Sequence, residues 1–141
     1  MASYIVRWAD VDANRHLRHS AYADFGAQTR VLALEQIGLS FNEMAKLKIG
    51  PILFREELIY RKEVPMNDKI TVSCTLQKAR RDASRWSMRH QIYRSDGQLA
   101  AIINVDGAWL DLKMRKLTTL SDEVVEKFNL IPRSSDFYWE E

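Results

Sequence analysis

The stretch SAYADFGAQTRVLALEQIG, Ser20–Gly38, decides the fold. Its apolar spacing is helical: Tyr22, Phe25, Thr29, Leu32, Ala33 and Gln36 share one side. Ser20 is a candidate N-cap, and Gly38 ends the pattern. Small side chains recur at Ala21, Ala23, Gly26, Ala27 and Ala33. Another backbone can approach such a helix closely, which suits a helix enclosed by a sheet better than one on a surface.

The flanking segments read as that sheet. Upstream, SYIVRWA alternates, with Tyr4, Val6 and Trp8 on one face, and predicts a strand. A loop, Asp10–His19, joins it to the helix. Downstream, SFNEMAKL predicts a short helix capped by Ser40, with Glu43 three residues on. Strands are then expected over ILFREELIYRKEV, KITVSCTLQKAR, RWSMRHQIYR and QLAAIINVDGAWLDL. Pro65 and Asn67-Asp68 close the first of these, and Ser95-Asp96-Gly97 is a hairpin turn signal. The last is apolar on both faces near its middle, as a central strand is. SDEVVEKFNL predicts a closing helix capped by Ser121. The expected architecture is α+β: a curved five-stranded antiparallel sheet wrapped around one long helix, as a single domain over 1–141. Open sheet edges are usually covered or paired, so a homodimer or homotetramer is expected.

Composition sets the bounds. Hydrophobic residues make up 46% and charged residues 28%, which is globular. A net charge of +2 is too near balance to argue for nucleic acid. One cysteine, Cys74, allows no internal disulfide and fits a reducing compartment. The first ten residues contain Arg7 and Asp10 and no apolar core, so no secretory signal is expected. No apolar run approaches the roughly 20 residues that span a bilayer. The expectation is a cytoplasmic protein with neither membrane nor nucleic acid as partner.

The loop before the helix, ADVDANRHLRHS, carries the chemistry. Asp10, Asp12 and Asn14 alternate like the first ligands of an EF-hand. That motif needs Gly at its sixth position and Glu at its twelfth, where this chain has Arg15 and Ala21. Three histidines, His16, His19 and His90, lack ligand spacing, so no metal site is expected. No Gly-x-Ser-x-Gly elbow occurs, which excludes an α/β-hydrolase at the motif level.

The order and spacing of these elements resemble the hotdog-fold acyl-CoA thioesterases, in the branch similar to 4-hydroxybenzoyl-CoA thioesterase. The resemblance runs from Tyr4 to about Phe128. It rests on Asp10, Asp12, His16, Leu17 and Tyr22, then Arg30, Gly38, Gly50-Pro51, Pro65 with Asp68, and Asp111–Lys116. Two departures stand out. Arg15 replaces the family's usual glycine, with Arg18 and His19 replacing its asparagines. The carboxylate many relatives carry midway along the helix is absent from Gly26-Ala27-Gln28-Thr29.

The resemblance implies hydrolysis of an acyl-CoA thioester, with no cofactor because coenzyme A is part of the substrate. Asp12 would be nucleophile or general base. The backbone N–H near His19, where the helix begins, would stabilise the oxyanion. His16 would orient Asp12 or polarise the carbonyl, and the His19 side chain would line the pocket. Tyr22 would line the acyl site. Arg80, Arg81 and Arg85, with Lys78, surround one turn and suit the phosphates of coenzyme A. Each has a plainer reading: Asp12 as a loop cap, His16 as a loop hydrogen-bonder, the arginines as a solvated hairpin tip. Glu57 is a candidate second acid, and His90 reads as a core or interface histidine. The rival function is a hotdog protein that binds acyl-CoA or acyl carrier protein without cleaving it.

Overall fold

QLAAIINVDGAWLDL is apolar on both faces because its strand lies mid-sheet. In the computed structural model, which describes all residues from Met1 to Glu141, this segment forms β6 (Leu99–Asp111). The full order is β1 (Ala2–Ile5), α1 (His19–Gln36), α2 (Phe41–Leu47), β2 (Ile49–Tyr60), β3 (Lys69–Val72), β4 (Thr75–Ala79), β5 (Arg85–Tyr93), β6, β7 (Lys116–Thr118), α3 (Asp122–Phe128) and β8 (Arg133–Trp139). On one side β6 pairs with β2. On the other it pairs with β5 and, beyond the end of β5, with β7. β5 continues the sheet to β3 and β1 at one end, and to β4 and β8 at the other.

Register places the core. Directly opposite residues share a face, so Leu58, Ile103 and His90 form one row across β2, β6 and β5. Glu56, Val105 and Met88 form the next row, and Tyr60, Ala101 and Ile92 the one before. On β5 and β6 these residues are buried, and α1 lies over them. Gly26 is the closest approach: a Cβ there would meet Ile103 Cδ1 at 3.0 Å and His90 Cδ2 at 3.4 Å. Bulges at Leu53/Arg55 and Leu76/Lys78 bend the outer strands. The architecture is the expected hotdog, a helix on the concave side of an antiparallel sheet.

The details differ from the sequence reading: the sheet has eight strands rather than five, since one expected strand is split and β7 and β8 are added. The strand expected through Trp8 stops at Ile5, because Arg7 and Asp10 bond each other and fold Trp8–Asp10 into a 3₁₀ turn; Trp8 is exposed. KITVSCTLQKAR is two strands, broken at Ser73-Cys74, where Ser73 Oγ accepts the Gln91 backbone N–H (2.9 Å) in place of the ladder. ILFREELIYRKEV ends as a strand at Tyr60. β8 was not foreseen; it runs parallel to β4. The buried face of α1 is Ala21, Tyr22, Gly26, Thr29 and Leu34. Phe25 instead turns toward β1 and packs on Tyr4 (5.0 Å between ring centroids), and the buried Thr29 bonds the Tyr4 hydroxyl (2.9 Å). Ser40 and Ser121 cap α2 and α3 as expected.

Candidate active site

The loop before α1 is a small hairpin. Val11 bridges Leu17, and His16 bridges Pro65. The Asp12 N–H donates to the His16 carbonyl (2.9 Å), and the Arg15 N–H to the Asp12 carbonyl (3.0 Å). Arg15 sits in left-handed backbone at φ +65°, the conformation glycine adopts at least cost. That geometry accounts for the glycine usual at this position in the family resembled.

The two aspartates have different surroundings. Asp10 is buried, and its carboxylate accepts the Arg7 backbone N–H (2.9 Å), Nε (3.1 Å) and Nη2 (3.0 Å). The Arg7 hydrogen bond holds its carboxyl below the usual range, against the opposing effect of burial. Its carbonyl also takes the Arg18 N–H (2.8 Å), so Asp10 ties the loop to the start of α1. Asp12 is exposed. Its Oδ1 accepts the Asn14 N–H (2.8 Å) and, more weakly, the His16 N–H (3.4 Å). One carboxylate oxygen is pinned by the loop, and neither takes a cation.

α1 starts at His19, not after a Ser20 cap. Arg18 is the N-cap and offers no side-chain cap bond. Ser20 lies inside the first turn, where its Oγ accepts Arg18 Nε (3.1 Å). The leading N–H groups of α1 are therefore left without a capping side chain, at the positive end of an 18-residue helix.

Asp12, His16, His19 and Tyr22 line one cleft of about 330 Å³, together with Asn14, Leu17 and the segment Tyr60–Glu63. Tyr60 donates its hydroxyl to the His19 carbonyl (3.1 Å) and stacks edge-on against Tyr22 (5.1 Å). The Tyr22 hydroxyl is pushed up in pKa, first by burial and then by Tyr60, Glu63 and Asp12. His16 Nε2 turns to Glu63 (3.3 Å), so His16 reaches Asp12 through its backbone alone. Asp12 also lines a second, more apolar hollow of about 670 Å³, with Trp8, Val11, Arg15 and Met66. It stands on the ridge between the two.

The arginine turn is elsewhere. Arg80, Arg81 and Arg85 surround the β4–β5 turn; Arg85 lies over the Phe54 ring (4.8 Å) and Arg81 over Trp139 (4.6 Å). Phe54 is six residues along β2 from Tyr60, about 20 Å at strand rise. Within one chain these arginines do not reach the cleft. Glu57 is held by Asn104 Nδ2 (3.0 Å) and Arg55 Nη2 (2.8 Å) on the outer face, away from Asp12. His90 is wholly buried in the core. No group of three or more His, Cys, Asp or Glu side chains is placed to hold a metal ion. The sequence reading missed Tyr60, Arg61, Lys62 and Glu63 in the cleft. Their signal was the charged run before Pro65, which bridges His16.

No helix is long and apolar enough to cross a membrane. No curated protein matches the chain in sequence. Solved structures share its fold. A hypothetical protein from Staphylococcus aureus in complex with CoA superposes with a TM-score of 0.86 at 18% identity, covering 99% of this chain and 88% of that one. DHNA-CoA thioesterase from Staphylococcus aureus gives 0.82 at 20% identity, covering 91% and 87%. The probable thioesterase YbaW from Escherichia coli gives 0.80 at 23%, covering 94% and 98%. The thioesterase-like superfamily matches residues 6–128, from the end of the first strand to the last helix and through the whole Asp12 loop. On that match the chain belongs to the thioesterase-like superfamily, on the hotdog fold of thioester hydrolases.

Proposed function

We propose that this protein is a cytoplasmic, homo-oligomeric acyl-CoA thioesterase in which Asp12 acts on the thioester carbonyl. One observation carries the reading: an exposed carboxylate without a cation partner and the uncapped N-terminus of α1 line the same cleft. A thioester carbonyl between them meets a base or nucleophile on one side and N–H donors on the other.

In the general-base route, Asp12 takes a proton from water as the water oxygen attacks the carbonyl carbon. The oxyanion is stabilised by the His19 N–H and the helix dipole. Collapse breaks the C–S bond, and the departing thiolate of coenzyme A receives the proton from Asp12. In the nucleophilic route the carboxylate attacks, the thiolate leaves, and water cleaves the resulting anhydride to free acid and Asp12. The Asn14 and His16 N–H groups orient the carboxylate in both. Neither route calls for a cofactor, since coenzyme A is the leaving group.

The site is proposed to lie between subunits. β2 is an edge strand of 12 residues paired only with β6, and Leu53, Phe54 and Tyr60 on it are exposed. Antiparallel pairing of two β2 edges in a register centred on Glu57 would bring Phe54 of one chain beside Tyr60 of the other. The partner's arginine turn then approaches the cleft, which supports a role for Arg80, Arg81 and Arg85 on the phosphates of coenzyme A.

The test is steady-state thiol release from a panel of acyl-CoAs by wild type and Asp12→Asn. Turnover by wild type with a loss of about a hundredfold or more in the variant is the expected result. Equal rates would remove Asp12 from the chemistry. Binding of acyl-CoA without turnover of any panel member would favour the non-hydrolytic reading.

A further inference from the structure

The C-terminal strand β8 lies beyond the family-matched segment 6–128. It carries a cluster of cations stacked on aromatic rings. Arg133 lies over both the Phe137 ring (4.7 Å) and the Trp139 ring (4.8 Å). Arg81, from the β4–β5 turn, lies over the same Trp139 ring (4.6 Å). Phe137 and Trp139 meet edge to face (5.1 Å) and pack partly against the core. Lys78 stands 6.0 Å from the Tyr138 ring. The parallel pairing of β8 with β4 sets Trp139 on the face of Ala79, with Phe137 two residues before it, and puts Tyr138 and Lys78 on the opposite face.

None of Lys78, Arg80, Arg81, Arg85 or Arg133 forms an ion pair within the chain. Of the nearby carboxylates, Asp82 is engaged by Ser84 and Asp136 by Arg89 and Ser134, and Glu140 and Glu141, which follow Trp139, form no ion pair with these cations. A guanidinium stacked on an aromatic ring spends its face on the ring. Its in-plane N–H donors stay free and their direction is fixed. Two such forks, with Arg80 next to Arg81 on the turn, match a ligand that carries several phosphates.

We infer that Arg133 and Trp139 extend the arginine turn into the site for the 3′-phosphate and diphosphate of coenzyme A, with Trp139 as the platform that orients Arg81 and Arg133. The inference rests on the reading above that the protein takes acyl-CoA. It adds that recognition of the nucleotide depends on the C-terminal strand.

The experiment is calorimetric binding of free coenzyme A and of pantetheine, which lacks the nucleotide, to wild type, to the double variant Arg81→Gln/Arg133→Gln, and to Trp139→Leu. Both arginines are exposed, so the double variant should fold, and its thermal melting is compared with wild type. The expected result is that wild type binds coenzyme A more tightly than pantetheine, and that the double variant loses roughly tenfold or more of that preference. A preference unchanged in the double variant, or no binding of coenzyme A by wild type, overturns the inference. So does displacement of coenzyme A by a random RNA oligonucleotide that binds more tightly, which would make the patch a nucleic-acid surface. Binding is read without turnover. A protein that binds coenzyme A through β8 and hydrolyses nothing therefore sinks the hydrolase reading and leaves this one standing.

Discussion

Arg30 Nη1 lies 2.9 Å from His90 Nε2 beneath α1, and His90 Nδ1 lies 3.0 Å from the Ser73 carbonyl. The geometry fixes the tautomer: Nδ1–H donates to Ser73, and Nε2 accepts from the guanidinium. A second proton on this ring would leave a buried imidazolium facing a cation. Burial first, and Arg30 second, lower the His90 pKa from 6.5 to about 4, with the Ser73 bond opposing.

That shift gives a pH dependence of stability with a definite sign. The unfolded chain protonates His90 below about pH 6.5, while the folded chain resists until about pH 4. The unfolded state therefore binds the extra proton across this window, and stability falls as pH drops through it. The loss should approach about 3 kcal/mol by pH 4. Urea unfolding at pH 7.5 and pH 4.5 measures it. His90→Gln, which cannot titrate, should flatten the difference even if its stability at pH 7.5 is lower. An equal pH dependence in the variant would assign the effect to other groups. Asp10 adds a lower window: its contribution is present above the ordinary value of 3.8 and is lost as pH falls below it.

Arg15 pays for the loop's shape in backbone strain. At φ +65° a side chain crowds its own carbonyl, at roughly 1 kcal/mol. Arg15→Gly removes that crowding but frees the unfolded chain. The net gain should be small, at most about 0.6 kcal/mol, or roughly 2 °C in Tm. Differential scanning calorimetry decides, and a lower Tm would mean that the Arg15 side chain makes stabilising contacts in the outer hollow.

Gly107 is required by contact, not by conformation. A Cβ there would stand 2.4 Å from Trp86 Cη2 and 2.5 Å from the Ile52 carbonyl oxygen. The second neighbour is backbone of β2, beside the Leu53/Arg55 bulge, so neither can retreat cheaply. Gly107→Ala should cost about 1–3 kcal/mol or more and loosen the β2 edge. Hydrogen exchange on β2 should speed up along with the drop in unfolding midpoint. Unchanged exchange on β2 would show that Trp86 alone absorbs the methyl.

Much of this was legible because local patterns and tertiary demands agreed. The spacing from Ser20 to Gly38 gave α1, and Ser40 and Ser121 gave their caps. The unbroken alternation of Ile70, Val72, Cys74 and Leu76 concealed the break at Ser73, because the break is made by a side-chain bond to Gln91, 18 residues away. Alternation likewise carried β1 too far, past the Arg7–Asp10 pair that ends it. RSSDFYW opens with polar residues, and its pairing is parallel and distant, so only the alternation of Phe137 and Trp139 hinted at β8. Within the site, Asp12, His16, His19 and Tyr22 could be read because the loop and helix start are contiguous. The contribution of Tyr60–Glu63 could not, because it depends on where β2 ends.

The separation of about 20 Å between the cleft and the arginine turn makes a sharper prediction about assembly. Asp12→Asn should lack chemistry, and Arg80→Gln/Arg81→Gln/Arg85→Gln should bind acyl-CoA poorly. If each site takes Asp12 from one chain and arginines from its partner, a mixed dimer holds one site with both intact and one with neither. Unfolding and refolding the two variants together in equal amounts should yield mixed dimers as about half of the population, by two-fold symmetry. Activity should then recover to roughly a quarter of wild type, since one of two sites works in half of the dimers. Variants refolded separately and then mixed should stay near their own low rates until subunits exchange. A site completed within one chain predicts otherwise, because every chain in the mixture carries a defect and refolding together restores nothing. Recovery would join the β2 edge, the Asp12 loop and the arginine turn into one intersubunit site; its absence would return the arginines to solvent or to another task.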